Sequence, residues 1–196
     1  GDRWRDWHQL AVPLATAPGE YRLTAHLTGT GSSGLISVSL AQVQIEGRAR
    51  LFEVPPLAHR SLATLGEVFQ LLGYDLAEGD TSAGQDLHLT LVWQALAESH
   101  ISYTVFTHLI DGNSHIWGQK DNVPGQGELP TTRWIAGEVI VDDYIIQVAD
   151  DAPPGEYRIE IGMYDPSTGQ RLPIVDERGQ PLGDHILLDT KVLLTD

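Results

Sequence analysis

The chain has 196 residues, is 41% hydrophobic and 20% charged, and carries 12 Lys+Arg against 27 Asp+Glu, a net charge of −15. Such a composition can bury a core, and its acidic balance excludes generic nucleic-acid binding, which needs clustered Lys and Arg. The absence of cysteine excludes a disulfide framework, a zinc–thiolate site and a cysteine nucleophile, and no apolar run approaches the roughly 18 residues of a membrane helix.

The first residues, GDRWRDWHQL, lack an apolar signal core and read as a cut end. Leu10, Val12 and Leu14 then alternate, so a strand is expected over 9–14, followed by strands over 20–28 and 35–46. In the third segment the phase slips. Ile36, Val38 and Leu40 are even-numbered and Val43 and Ile45 odd, which predicts a β-bulge at Ala41-Gln42. The GTGSSG run at 29–34 reads as a hairpin tip, since no helix follows it to make a phosphate loop.

Pro55-Pro56 punctuates the chain. Residues 1–57 hold five basic and five acidic side chains, and residues 58–196 hold seven basic and 22 acidic ones, so the whole net charge falls in the second part. This asymmetry predicts a partial β module over 1–57 and a complete β-sandwich module over 58–196.

In the second part Leu87, Leu89, Leu91 and Trp93 share one phase, Tyr157, Ile159, Ile161 and Met163 another, and Ile186, Leu188, Thr190, Val192 and Leu194 a third. Period two places each set on one face of a strand. Trp93, Leu89, Leu91, Val105, Ile146, Ile159 and Ile161 are the expected core, and His88 points outward. Short strands separated by Gly- and Pro-containing turns predict an all-β fold, an antiparallel β-sandwich of immunoglobulin/fibronectin-III-like or jelly-roll-like type.

A repeat links the two parts. Residues 18–23 read PGEYRL and residues 154–159 read PGEYRI, each preceded by an alternating apolar stretch and followed by a turn and another. Residues 1–50 therefore read as the back half of a module whose complete copy follows. Half a sandwich leaves an apolar face and strand edges uncovered, so this unit is expected to pack on 65–196 or to self-associate.

Groups that carry chemistry are sparse. The eight histidines show no metal-ligand spacing, and His108, between Phe106 and Ile110, reads as a hydrogen-bonded core or edge residue. Asp142-Asp143 and Asp150-Asp151 bracket a strand expected at 144–148 and read as its solvated ends, although calcium chemistry stays open. No nucleophile elbow, P-loop or dinucleotide fingerprint occurs. No catalytic residue, metal ligand or cofactor is therefore assigned, and the chain by itself is not expected to be an enzyme. The aromatics offer the best binding candidates. Trp134, in LPTTRWIAGE, would stack on a sugar ring while Arg133 and Glu138 bond hydroxyls; Trp117, which follows the Asp111-Gly112-Asn113 turn toward an edge, is the alternative platform. The competing reading makes Trp134 a plug at one end of the sandwich.

The runs LGEVFQLLGYDL (65–76), LHLTLVWQAL (87–96), YTVFTHLIDG (103–112), LPTTRWIAGEVIVDDY (129–144), APPGEYRIEIGMYDPSTGQRLPI (152–174) and LGDHILL (182–188) resemble a β-sandwich module. That module forms the C-terminal, non-membrane end of bacterial proteins of the family 39 glycosyltransferase type, related to dolichyl-phosphate-mannose mannosyltransferases. The resemblance covers 65–196 and rests on structural motifs. It implies an extracytoplasmic accessory module and carries no catalytic residue onto this chain.

Two functions follow, with a stand-alone hydrolase kept as a third that no motif supports. One is a non-catalytic accessory or interaction module of a cell-envelope glycosyltransferase-like membrane protein, partnered by the membrane domain. The other is a carbohydrate-binding module for neutral glycans, since the acidic surface repels anionic ones. A planar pair of solvent-facing aromatics favours the second, and buried tryptophans favour the first.

Overall fold

The computed structural model describes residues 8–28, 35–77 and 81–195. Trp4, Trp7, the 29–34 hairpin tip and the Glu78–Asp80 turn lie outside the described residues. The chain forms two compact units, Gly1–Ala49 and Arg50–Asp196.

The first unit is a hairpin of β1 (Gly19–Thr28) and β2 (Leu35–Ile45), paired antiparallel. Leu23 faces Ala41 and Thr24 faces Ser39, so Leu40 is the extra residue of a bulge. It sits one position before the expected Ala41-Gln42, where the side-chain phase must be reset. The strand expected over 9–14 is absent. Pro13 lacks a ladder donor, and its carbonyl instead accepts Thr16 N at 2.9 Å in a turn.

The second unit contains β3 (His59–Leu65), β4 (Phe69–Leu76), β5 (Thr81–Ser82), β6 (Asp86–Ala95), β7 (Thr104–Ile110) and β8 (Ile116–Asn122). It continues with β9 (Val139–Gln147), β10 (Gly155–Tyr164), β11 (Ile174–Val175), β12 (Pro181–Gly183) and β13 (Ile186–Thr195). They build a five-stranded sheet, ordered β5-β13-β10-β7-β8, and a six-stranded sheet, ordered β12-β11-β3-β4-β6-β9. All pairings are antiparallel except the short β13–β5 contact. The unit is an antiparallel β-sandwich.

Leu89, Leu91, Trp93 and Ile146 of the six-stranded sheet and Val105, Ile159 and Ile161 of the other are all buried in one core. Each such side chain contributes on the order of 1.5–3 kcal/mol by leaving water. Bulges tune the fit. Leu71 faces Trp93 but Gly73 faces Val92, so Leu72 is the extra residue of β4. It joins Val92 and Val139 in a small outer cluster, against which Leu57 packs.

That outer cluster explains where the units divide. Val139 N donates to Leu51 O at 2.8 Å, and Arg50 bonds the loop before β9. Residues 50–57 thus run with the second unit, and the division falls between Ala49 and Arg50, ahead of the 57/58 boundary expected from charge and prolines.

The repeat has a structural basis. Gly19 pairs with Ile45 and Tyr21 with Val43, just as Gly155 pairs with Leu194 and Tyr157 with Val192. Tyr21 donates its hydroxyl to Ala17 O at 2.8 Å, and Tyr157 donates to Pro153 O at 2.6 Å. Both are tyrosine corners, in which the hydroxyl satisfies a carbonyl four residues upstream and fixes the strand's entry. Their surroundings differ: Tyr21 is 40% exposed and Leu27 56%, against 2% for Tyr157 and 0% for Met163.

Candidate functional site

The 129–138 loop is a structural plug. Pro130 starts a short 3-10 turn over Thr131–Arg133, and Trp134 follows it in extended conformation. Trp134 is 0% exposed, packs edge-on against Phe69 with centroids 5.2 Å apart, and donates its indole N–H to Leu129 O at 2.8 Å. Thr131 Oγ1 donates to Ile101 O at 2.7 Å and accepts Tyr103 N at 3.0 Å. A stacking platform at Trp134 is therefore corrected: its ring has no face open to solvent.

Glu138 is likewise committed inward. It is 0% exposed, and its Oε2 accepts Ile135 N at 3.1 Å and a hydrogen bond from Arg50 Nη1. The same Arg50 nitrogen donates to Arg133 O at 3.0 Å. A carboxylate loses several kcal/mol of hydration on burial, which such charge-assisted bonds offset. Arg133 is exposed, and the contact made here is through its backbone. Of the expected cluster, Arg133 and Glu138 meet through Arg50, but they do not converge on an open surface.

Trp117 is the half-buried exception, on the edge strand β8. The Asp111-Gly112-Asn113 turn places it. Asp111 Oδ1 accepts Asn113 N at 2.8 Å and His115 N at 2.9 Å, while Oδ2 accepts Trp117 Nε1 at 3.1 Å. These bonds hold the Asp111 carboxyl below the usual carboxylate range, the His115 amide contributing most. His115 meets the indole edge-on at 4.6 Å.

Beside Trp117 the edges of the two sheets meet. Gly118 bridges Val148, and Ala149 N donates to Trp117 O at 2.7 Å. Glycine is required here, because a Cβ at position 118 would stand 2.8 Å from Gln147 O. A cavity of about 540 Å3 lies along this seam, lined by Ile116–Gln119 and Gln147–Asp150. A second, of about 410 Å3, is lined by Gln119, Asn122, Gln126, Asp143 and Gln147 among others. The two share Gln119 and Gln147 and adjoin in one groove of mixed polar and apolar lining between β8 and β9. Of the groove's residues, the sequence offered Trp117 as an aromatic platform and Asp143 and Asp150 as strand-end carboxylates. The amides carried no signal, because the meeting of β8 and β9 is a tertiary event.

The aspartates depart from their expected place. β9 begins at Val139, so Asp142 and Asp143 lie within the strand. Asp142 is buried, with Oδ1 accepting Gly125 N at 2.8 Å and Oδ2 accepting the Tyr144 hydroxyl at 2.5 Å. Burial pushes the Asp142 carboxyl up to about 6, against the opposing pull of these two bonds. Asp143 faces outward and accepts Thr90 Oγ1 at 2.6 Å. His108 is buried between Asp121 at 3.6 Å and Glu160 at 3.8 Å on the five-stranded sheet, as a partnered strand residue. No group of three or more metal-ligating His, Asp or Glu occurs among the described residues.

No family model matches the chain, and no curated protein matches it significantly. Among solved structures, the chain is similar to the C-terminal domain of wzt, with 10% identity, TM-score 0.45, and coverage of 72% of this chain and 83% of that one. It is also similar to the CARDB domain of a Pyrococcus furiosus protein, solved in complex with di-metal ions. There the identity is 9% and the TM-score 0.36, over 76% of this chain and 100% of the other.

Proposed function

We propose that the chain is a non-catalytic accessory module on the extracytoplasmic side of a cell-envelope membrane protein of the family 39 glycosyltransferase-like type. The observation that carries this reading is the use made of the polar groups around β9. Thr131, the Trp134 indole, Glu138 and Asp142 are spent on backbone groups of the unit's own loops. Bonds of this kind fix loops and leave no poised acid, base or nucleophile among these residues. The tyrosine-corner hairpin recurs in both units, and it is a structural repeat that adds no reacting group.

Two assays test this. The isolated chain, given neutral oligosaccharides or a polyprenyl-phosphate-linked sugar, should neither hydrolyse nor transfer. Co-expressed with a membrane domain of that glycosyltransferase type, it should co-purify with it. Turnover by the isolated chain that Asp142→Asn or Glu160→Gln abolishes would overturn the reading.

A further inference from the structure

The groove between β8 and β9 has the chemistry of a ligand site, whether or not the chain serves as an accessory module. Its walls carry the side-chain amides of Gln119, Asn122, Gln126 and Gln147. An amide both donates and accepts, which matches a hydroxyl and gives no preference for charge. Asp143 and Asp150 add acceptors at the two ends. Two aromatics line the groove, Trp117 at the Asp150 end and the largely buried Tyr144 in the second cavity.

Trp117 is preorganised. Its indole N–H is fixed by Asp111 Oδ2 at 3.1 Å, its carbonyl by Ala149 N at 2.7 Å, and its ring by His115. A ring already held in place loses little freedom when a ligand stacks on it. The Gly118–Val148 bridge and the bond from Ala149 N to Trp117 O tie β8 to the end of β9 beside the groove. The walls carry Asp86, Asp143 and Asp150 against Lys120, and this acidic excess, with the net charge of −15, disfavours anionic polymers.

We propose that the β8–β9 groove binds a neutral oligosaccharide, stacked on Trp117 and hydrogen-bonded by Gln119 and Gln147. This places the sugar site by the C-terminal end of β9, away from the 129–138 loop at its N-terminal end, where Trp134 is buried.

The test is an amide and indole NMR titration of the full chain with mannohexaose and maltohexaose, and with oligogalacturonate as the anionic control. At least one neutral probe should shift the Trp117 indole and the Gln119 and Gln147 side-chain amides, saturating in the range of roughly 0.1–1 mM usual for a shallow site. Trp117→Ala should weaken that binding at least tenfold and Gln147→Ala, at an exposed position, about threefold. Oligogalacturonate should leave these resonances unmoved. The proposal is overturned if neither neutral probe shifts them at 10 mM, or if the shifts fall elsewhere. It is equally overturned if the anionic probe binds as well, or if raising the protein concentration alone moves the β8 and β9 backbone amides, which would assign the groove to chain–chain pairing.

Discussion

Asp142 and Tyr144 stand on the same face of β9, and the Tyr144 hydroxyl donates to Asp142 Oδ2 at 2.5 Å inside the protein. Burial and the neighbouring carboxylate together push the Tyr144 hydroxyl far above its ordinary value, so it stays a donor at every accessible pH. Asp142 also holds Gly125, whose φ of +63° opens the loop that carries Gln126 to the groove.

This carboxyl makes stability depend on pH. Its folded value, about 6, lies above the 3.8 of an unperturbed aspartate. Its contribution is therefore fully present below about pH 4 and is lost as pH rises through 6. Two units correspond to about 3 kcal/mol. Urea titrations of wild type and Asp142→Asn should show their difference shifting by about that much against the wild type between pH 4 and 6.5. Parallel pH profiles for the two proteins would contradict the assignment.

The two buried tryptophans should respond differently to phenylalanine. Trp134→Phe loses the bond to Leu129 O and leaves that carbonyl unpaired, whereas Trp93 Nε1 has no hydrogen-bond partner to lose. Both lose apolar area. Trp134→Phe should cost about 1–2 kcal/mol more than Trp93→Phe in denaturant titration. Trp93→Ala empties the site and should cost about 3–5 kcal/mol. An equal or smaller loss for Trp134→Phe would remove the hydrogen bond from the account.

The corner tyrosines give a third comparison. Tyr157 is buried and its hydroxyl bonds Pro153 O, so Tyr157→Phe should cost about 1–2 kcal/mol. Tyr21 makes the same bond where water competes for it, and Tyr21→Phe should cost less than about 0.5 kcal/mol. Equal costs in urea unfolding would show that exposure does not separate the two corners.

Gly118 tests the seam. A methyl group there meets Gln147 O at 2.8 Å and Ile146 Cγ2 at 3.1 Å, both in packed structure. Gly118→Ala should cost about 1–3 kcal/mol and displace the Trp117 indole resonance. An unchanged indole spectrum would mean that the β8–β9 contact does not position Trp117.

The strands of the sandwich were legible because period two is a local property. Leu89, Leu91 and Trp93 declare a buried face without reference to any partner. The corners were legible through PGEY, since the tyrosine and the carbonyl it satisfies lie four residues apart. What failed depended on tertiary placement. Leu10, Val12 and Leu14 alternate like a strand, but Pro13 turns the chain there. Trp134 sits in a loop, and only the arrival of Phe69 and Leu129 makes that loop part of the core. Asp142-Asp143 looked like a solvated strand end, and only Gly125 and Tyr144 explain how one of the pair is buried. Arg50, which ties the connecting segment to Glu138, carried no local sign of its role.

The central claim is that residues 50–196 form a self-sufficient β-sandwich, stitched by the connecting segment through Arg50, Leu51 and Leu57. Urea unfolding of two truncated chains, 50–196 and 58–196, followed by circular dichroism, tests it most directly. The 50–196 chain should show a β spectrum and one cooperative transition. The 58–196 chain should fold but unfold more easily by about 3–5 kcal/mol, because Glu138 is left buried without Arg50 and the outer cluster loses Leu57. A 50–196 chain without a cooperative transition, or two chains of equal stability, would contradict the account.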